Sequence, residues 1–438
     1  MEENTAKEKE EAELTENQQE VWDSLKKTVK RVNGVLKEVP DTTIENFVRV
    51  FEGDEAFACL AYNVLSSRPE RKDDDGIRDW SATDDAWSRA YIEDIYHMHN
   101  LNKWQDALVR FQKERAYNPI KDAIEQVTWD GQSRCSSFLV DWLKVDDTPY
   151  SREVSRLIFA GAVRRIYEPG CKFDCVPVLM GSQGSGKSTI CHWLAMDDKY
   201  YSSISTIQGQ KGAEGIQGVW ICEIEELLAV LANDKAGSAS EEAAKAFISK
   251  QDEYYRQPYT KRPEHHPRQC IFIGTTNRET FVTDKTGARR WFPVHVNSVA
   301  SDIYANEAEC KEYILQAWAE MKAAYDNGLP LADPTPAAVL DEEIKKEQAS
   351  VATEDWRVGI IEEYLEGKRS VCLIQIWEEA LRPYQGGGKM GRKDSTDLAE
   401  ILVNQLHWTR GNTENFGVFK KQKAFHRPEP KVVPINAA

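Results

Sequence analysis

The sequence predicts an α/β protein with a parallel β-sheet at its centre. Three short apolar segments, at 178–180, 218–224 and 270–274, are typical of strands, and segments with helical spacing of apolar residues separate them. Short, fully apolar strands that alternate with helices favour a parallel sheet covered on both faces. Pro177 is expected at the first residue of its strand, because proline cannot donate a hydrogen bond to a central ladder.

Composition narrows the class of protein. With 438 residues, 41% hydrophobic and 29% charged, the chain has the composition of a soluble protein of several domains. No apolar run approaches the ~18–20 residues that span a bilayer, and the first twenty residues contain no secretory signal, so no membrane partner is expected. The nine scattered cysteines are expected to be free thiols in a reducing cytoplasm. Since the net charge is -16, any contact with nucleic acid has to come from local basic elements.

A glycine-rich segment follows the first predicted strand. Gly181-Ser-Gln-Gly-Ser-Gly-Lys-Ser188 fits the P-loop pattern GxxxxGK[ST], in which backbone N–H groups surround phosphates at a helix N-terminus. In that pattern Lys187 reaches the β- and γ-phosphates and the Ser188 hydroxyl ligates Mg²⁺. An ordinary glycine-rich turn is the alternative, which the strand–loop–helix context disfavours. The predicted site for ATP and Mg²⁺ consists of Gly181, Ser182, Gln183, Gly184, Ser185, Gly186, Lys187, Ser188 and Thr189.

The second predicted strand ends in three carboxylates, Glu223, Glu225 and Glu226. A site that hydrolyses nucleotides needs one carboxylate in the Mg²⁺ shell and another to polarise the attacking water. Glu223 and Glu225 share one face if the strand stays extended, and Glu226 becomes available once the chain turns. We favour Glu223 for the metal and Glu226 for the water, with a solvent-facing acidic turn as the alternative.

The third predicted strand ends in polar residues and is followed by two arginines. Asn277, at its carboxyl end, is predicted to sense the γ-phosphate or to orient the water. Arg289 and Arg290 follow, and an arginine delivered to a neighbouring subunit's nucleotide stabilises charge in the transition state. A solvated surface pair is the alternative.

The segment Arg256–Arg268, between the acidic strand and the Asn-ended strand, alternates proline, aromatic and basic residues. This pattern predicts a hairpin with Lys261 and Arg262 at its tip. In a ring ATPase such a tip projects into the central channel and contacts DNA phosphates. An ordinary basic turn is the alternative.

The C-terminal part of the sequence is basic. From Gly386 to Lys431 there are nine Lys or Arg and five Asp or Glu. Three helices followed by two strands are typical of a winged helix, whose last helix can enter the major groove. Lys420, Lys421 and Lys423 form the predicted basic wing that contacts phosphates, although many winged helices bind protein instead. The predicted elements are helices at 356–365, 374–381 and 395–406 and strands at 408–410 and 417–420.

The order of these motifs resembles the virulence-associated protein E family over roughly residues 110–300. The resemblance also rests on Asn118-Pro-Ile, Trp129-Asp-Gly, Asp147-Thr-Pro-Tyr150, Pro169-Gly-Cys-Lys-Phe-Asp174 and Arg256-Gln-Pro-Tyr. It implies a replication ATPase of a phage, plasmid or pathogenicity island, similar to AAA+ proteins and superfamily 3 helicases and often joined to a primase. Two departures are visible. No primase-polymerase pattern precedes residue 110, so primer synthesis is not predicted, and Glu223 stands where many relatives of the wider superfamily have Asp, which leaves the choice among the three glutamates open.

Together these patterns predict an ATPase ring, expected to be a hexamer, that translocates on or unwinds single-stranded or forked DNA during replication of a mobile element. The expected location is the bacterial host cytoplasm, with a separate primase as a candidate partner. An ATP-switched origin-binding or loading protein with little unwinding activity is the second hypothesis. A small-molecule kinase is the third, and the tandem arginines and the winged-helix-like tail disfavour it.

Changes of period and composition divide the chain into five parts. The acidic stretch 71–79 is predicted to be a loop, and the proline-rich stretch 330–337 is predicted to be a linker. The parts are an acidic disordered tail (1–20), a helical N-terminal region (21–150), a P-loop ATPase core (151–300), a helical segment and linker (301–350) and a winged-helix-like domain (351–432).

Overall fold

The computed structural model of the chain describes residues 14–428, with gaps at 33, 75, 205–208, 228–236, 256–262, 282–287, 352–356 and 385–387. The described residues form two compact units, one ending at Val351 and the other following it. Within these residues, no helix combines the length and the apolar character needed to cross a membrane.

The N-terminal part of the first unit contains both helices and strands. Strands β1 and β2 pair only with each other, and strands β3 to β6 form a sheet in the order β5-β4-β3-β6. Buried aromatic residues of the helices, including Phe47, Phe51 and Phe111, form a separate core here. The elements are α1 (Glu16–Ser24), β1 (Lys27–Val32), β2 (Val35–Pro40), α2 (Ile44–Gly53), β3 (Leu60–Asn63), β4 (Arg68–Asp73), β5 (Gly76–Asp79), α3 (Ala82–Tyr96), α4 (Leu101–Glu114) and β6 (Ala116–Tyr117).

The region over 21–150, predicted to be helical, therefore contains strands as well as helices, and the predicted loop at 71–79 is wrong. That stretch belongs to the antiparallel pair β4 and β5, in which Arg71 lies opposite Arg78. Arg78 donates two hydrogen bonds of 2.7 Å to the buried Asp84 carboxylate, and these bonds hold the pKa of Asp84 well below its usual value. Because both strands are rich in charged residues, they lack the apolar alternation by which a strand is recognised in sequence.

A five-stranded parallel sheet forms the centre of the first unit, in the order β13-β7-β12-β9-β8. This confirms the predicted α/β class. Successive residues of each strand enter different buried clusters: Leu179 packs with helices α7 and α8, whereas Val178 and Met180 pack on the opposite face with helix α10. The elements are α5 (Pro119–Glu125), α6 (Phe138–Leu143), α7 (Pro149–Tyr167), β7 (Val176–Met180), α8 (Lys187–Leu194), β8 (Tyr201–Ile204), α9 (Gly209–Gly215), β9 (Ile221–Ile224), α10 (Gly237–Ser249), β10 (Asp252–Tyr255), β11 (Glu264–Pro267), β12 (Ile271–Thr276) and β13 (Trp291–His295).

Pro177 is the second residue of β7 and not the first, so its predicted position is wrong by one residue. β7 pairs with β13 from Val176 onward, but its ladder with β12 begins only at Val178. Pro177 therefore lies before the part of the strand that is paired on both sides, where a missing N–H is tolerated.

Helices α11 (Ala300–Ala305), α12 (Glu307–Asp326) and α13 (Asp341–Ser350) follow the sheet. The stretch 330–337 is packed against α7 and is not a free linker. The buried Arg156 donates hydrogen bonds to the backbone carbonyls of Leu331, Asp333 and Thr335. The guanidinium thus supplies hydrogen-bond donors to three backbone carbonyls of this stretch.

The second unit has three helical segments and a three-stranded antiparallel sheet in the order β14-β16-β15. The three predicted helices are confirmed, but the last strand begins at Lys421, because residues 417–419 form a tight turn after which Lys420 adopts φ +58. The elements are α14 (Arg357–Tyr364), β14 (Ser370–Val371), α15 (Leu373–Ile376, continued to Leu381 by wider turns), α16 (Arg392–Glu400, continued to Gln405), β15 (Thr409–Asn415) and β16 (Lys421–His426).

Candidate nucleotide-binding site

The carboxyl ends of the parallel strands create a cavity at one edge of the central sheet. The glycine-rich loop follows β7, Glu225 and Glu226 follow β9, and Asn277 follows β12. These residues, with α8, Ala300 and Tyr304, line an open cavity of about 410 Å³. The structure thus brings together residues of the glycine-rich loop, two of the three glutamates and Asn277 around one cavity.

Glycine is required in the loop for two different reasons. Gly186 has φ +85, and a Cβ there would lie 2.3 Å from Cδ1 of Ile303, so both conformation and space exclude a side chain. A Cβ on Gly181 would lie 2.7 Å from the carbonyl oxygen of Val296. The loop is also held from outside, because the amide of Ala300 donates to the carbonyl of Gly184 at 2.9 Å.

Lys187 begins α8 and lies folded over the loop. Its Nζ donates hydrogen bonds to the carbonyl oxygens of Gly181 and Ser182, both at 2.8 Å, and to Oγ of Ser185 at 3.0 Å. Partial burial lowers the pKa of Lys187, and the nearby charge of Glu223 opposes this shift. Among the described residues that line the cavity, Lys187 is the single cation.

Glu223 lies directly behind this loop and is fully buried. The hydroxyls of Ser188 and Thr275 donate to its Oε1 at 2.7 and 2.6 Å, and the Tyr201 hydroxyl donates to its Oε2 at 2.5 Å. Burial and this contact with the carboxylate raise the pKa of Tyr201. Hydroxyls from three neighbouring elements, α8, β12 and β8, therefore converge on the carboxylate that is expected, with Ser188, to hold the metal.

Glu225 and Glu226 have a different environment from Glu223. β9 ends at Ile224, so the extended conformation that would align Glu223 with Glu225 does not continue. Glu225 accepts a hydrogen bond of 2.9 Å from the Ser203 hydroxyl, and Glu226 has φ +41, an uncommon backbone conformation for a residue with a side chain. Both carboxylates are exposed and line the cavity.

Arg289 and Arg290 do not reach the cavity of their own chain. They precede β13, whose first residue pairs with Val176 at the amino end of β7, whereas the cavity lies at the carboxyl end, roughly 15 Å away along the strand. Arg290 donates to Oγ of Ser249 at 2.9 Å and lies 3.8 Å from Asp174. Arg289 is exposed, so of the two it is the one available to a neighbouring molecule.

The predicted DNA-contacting residues lie far apart in the sequence. Lys261 and Arg262, and with them the predicted hairpin tip, fall outside the described residues. The described strands on either side of that gap, β10 and β11, pair antiparallel. Lys420, Lys421 and Lys423 are exposed in the second unit.

Two residues of the site were not found from the sequence. Thr275 lies two residues before Asn277 and was given no role, and Tyr201 lies on a strand that was not predicted. A hydroxyl residue one position before the end of an apolar strand could have pointed to Thr275. No local pattern marks Tyr201, because its contact with Glu223 depends on the order of the strands in the sheet.

The residues present fit a bound triphosphate with a metal ion. An added Cβ at Gly184 would meet no atom within 4 Å, so the outer side of the loop is open to a ligand. Lys187 offers an ammonium group, and Ser188 a hydroxyl oxygen beside the buried carboxylate, which together suit phosphate oxygens and a hard cation.

Comparison with protein families confirms the predicted resemblance to the virulence-associated protein E family. A family model described as the virulence-associated protein E-like domain matches residues 124–353. A search among curated proteins gave no significant match.

Three solved structures, all of the C-terminal region of NrS-1, resemble the chain. "The apo structure of NrS-1 C terminal region (305-718)" has a TM-score of 0.46 and 13% identity, and two A form apo structures have TM-scores of 0.45 and 0.43 with 12% and 14% identity. Each alignment covers 84% of this chain and 96% of the other.

Proposed function

The chain belongs to the virulence-associated protein E-like family, and on that basis we propose that it is a Mg²⁺-dependent P-loop ATPase that translocates on or unwinds DNA. The proposed setting is replication of a phage or another mobile element, with the protein assembled as a hexameric ring and a separate primase as a candidate partner. The observation that carries the proposal is the buried Glu223 carboxylate bound to the Ser188 hydroxyl, directly behind the loop that holds Lys187.

Each residue of the site has a role in this proposal. The amides of the loop and Lys187 bind the phosphates, with Lys187 exchanging its contacts to the loop carbonyls for phosphate oxygens. Ser188 and Glu223 would hold the metal, and Glu223 also fixes the orientation of the Ser188 hydroxyl. When bound, Mg²⁺ neutralises charge on the phosphate oxygens. Glu226 accepts a proton from the attacking water, and Asn277 orients that water from the end of β12.

Hydrolysis of ATP by the purified full chain, with and without single-stranded or forked DNA, tests the proposal. We expect Mg²⁺-dependent hydrolysis that DNA stimulates. A kinase would instead transfer the γ-phosphate to a small molecule and show no response to DNA. The second candidate is an ATP-switched origin-binding or loading protein, and strand displacement on a forked duplex distinguishes a helicase from it. The exposed Lys420, Lys421 and Lys423, outside the first unit, are compatible with either function.

We expect Arg289 to act on the nucleotide of a neighbouring subunit. An Arg289→Ala protein should bind ATP normally and hydrolyse it poorly, because the cation that stabilises the transition state is lost. Mixing it with a Lys187→Ala protein should restore part of the ATPase activity, since interfaces with an intact Lys187 on one side and an intact Arg289 on the other would form. Full activity of the Arg289→Ala protein alone would contradict the assignment. Arg290→Ala is the comparison, and its main effect should be on stability because Arg290 contacts Ser249.

We expect the three wing lysines to contribute DNA affinity without contributing to the chemical step. A triple variant, Lys420→Gln, Lys421→Gln and Lys423→Gln, should bind DNA more weakly, and its salt dependence should be shallower by about one unit of slope per lost contact. At saturating DNA its stimulated ATPase rate should match the wild type. The matched control replaces three exposed helical lysines, Lys113, Lys345 and Lys346, with Gln. An unchanged salt slope in the wing variant would show that these three lysines do not contact DNA phosphates.

A further inference from the structure

The hairpin formed by β1 and β2 has no partner in the rest of the chain that the structure describes. Its two strands pair only with each other, from Lys27 opposite Pro40 to Val32 opposite Val35. Nearly all of its residues are exposed. An isolated two-stranded ribbon gains little stability in water, so its exposed surface needs another explanation.

Both faces of this ribbon combine cations with apolar side chains. On one face Lys30 lies directly opposite Lys37, next to the pair Val32 and Val35. Like charges placed opposite each other across two strands are destabilising. On the other face Arg31 lies opposite Leu36, which is 69% exposed. Cations therefore lie on both faces of the ribbon, where they can contact a polyanion.

The charge of the ribbon opposes that of the whole chain. Residues 26–39 contain five Lys or Arg and a single acidic residue, whereas the chain carries -16. Lys26 and Lys27, at the base, are near Glu45 and Asp23. Lys30 and Arg31, farther out, make no hydrogen bond or ion pair with any residue that the structure describes, so their charges are available to a ligand.

The base of the ribbon is anchored to helix α2. Asn46 is fully buried; its Nδ2 donates to the carbonyls of Lys26 and Asp41 at 2.8 and 2.7 Å, and its Oδ1 accepts from the Lys26 amide at 3.0 Å. The Thr28 hydroxyl adds a 2.6 Å hydrogen bond to Asp41. One buried side chain thus binds the backbone on both sides of the hairpin base, just before β1 and just after β2, and fixes the base from which the ribbon projects.

We propose that this ribbon lies in the major groove of duplex DNA, with Lys30, Arg31 and Lys37 on phosphates and the exposed Leu36 against base edges. Its strands lie about 4.8 Å apart and extend about 20 Å, a size that the roughly 12 Å wide major groove admits. Charge complementarity favours DNA over an apolar partner. This assignment adds a contact with duplex DNA to the proposed function. It rests on the proposed function because both require DNA as the partner.

The test uses the full-length protein and a fluorescent duplex of about three helical turns. The variant carries Lys30→Gln, Arg31→Gln and Lys37→Gln, which change only exposed side chains, and the control is again the Lys113, Lys345 and Lys346 triple to Gln. We expect the variant to bind the duplex at least about tenfold more weakly at ~0.1 M salt, with a salt slope shallower by about two to three units. The control should keep the wild-type slope, and both proteins should bind a fluorescent ATP analogue normally.

Unchanged affinity and slope in the hairpin variant would overturn this inference and leave the proposed ATPase untouched. An equal loss on single-stranded DNA or on duplex RNA would overturn the assignment to the major groove of DNA. If the variant changes the mass measured by light scattering and keeps its DNA affinity, the ribbon binds a second copy of the chain, and the inference is wrong. Failure of the wild type to bind any DNA would remove the DNA partner from both proposals, while ATP hydrolysis would still report on the nucleotide site.

Discussion

Replacing Lys187 with alanine should reduce ATP turnover by about 10²–10³-fold, in line with the loss of one preorganised electrostatic contact to a transition state. Lys187 is the one cation among the described residues that line the cavity, and none of the other described lining side chains can supply the lost charge. Its ammonium is already held over the loop by the carbonyls of Gly181 and Ser182, and little reorganisation is needed to reach a phosphate. Steady-state hydrolysis and binding of a fluorescent ATP analogue measure the effect.

Lys199→Ala is the matched control for this variant. Lys199 is an exposed lysine close in sequence, and it lies over the ring of Tyr200, away from the loop. Its removal should leave hydrolysis within about twofold of the wild type, because exposed substitutions away from special features have small effects. Wild-type hydrolysis by the Lys187→Ala protein would mean that this loop is not the nucleotide site, and the proposed function would fail with it.

The central sheet and the loop could be predicted because their signals are local. An apolar strand, a glycine at a left-handed position such as Gly186 and a lysine at a helix start lie within a few residues of one another. The same applies to Glu223, because the other residues of its strand are all apolar. Such segments specify their structure largely by themselves.

The remaining features depend on contacts between distant parts of the chain. The strands β4 and β5 are stabilised by Arg78 binding Asp84 on α3, which an alternation pattern cannot show. Tyr201 and Thr275 reach Glu223 only because β8 and β12 lie on either side of β9. The stretch 330–337 has the composition of a linker, and a single buried arginine on α7 fixes it in place.

Glu223→Gln should impair both the chemistry and the fold. The Gln amide has only one oxygen that can accept hydrogen bonds, and its NH₂ group is a donor. Depending on which way the amide is oriented, either the Tyr201 hydroxyl or the hydroxyls of Ser188 and Thr275 would lose their acceptor. Leaving a buried donor without an acceptor costs about 1–3 kcal/mol, and we expect the free energy of unfolding to fall by that amount. Hydrolysis should fall by at least about 10²-fold, because the Ser188 hydroxyl loses its orientation. Thermal unfolding and ATPase assays measure the two effects.

Glu226→Gln should reduce hydrolysis without reducing stability. This contrast with Glu223→Gln decides which glutamate is the base. Glu226 is exposed at the cavity, so its replacement should leave stability and ATP binding unchanged while hydrolysis falls, since only the group that accepts the proton from water is lost. Glu225→Gln is the control: Glu225 shares the same turn and cavity but is bound to Ser203, and its loss should leave hydrolysis largely intact. A stable Glu223→Gln protein that binds ATP and fails only in hydrolysis, next to an active Glu226→Gln protein, would reverse the two roles. A large loss of hydrolysis in the Glu225→Gln protein, with the Glu226→Gln protein active, would instead identify Glu225 as the base. Glu225 is the alternative because β9 ends at Ile224 and both following glutamates line the cavity.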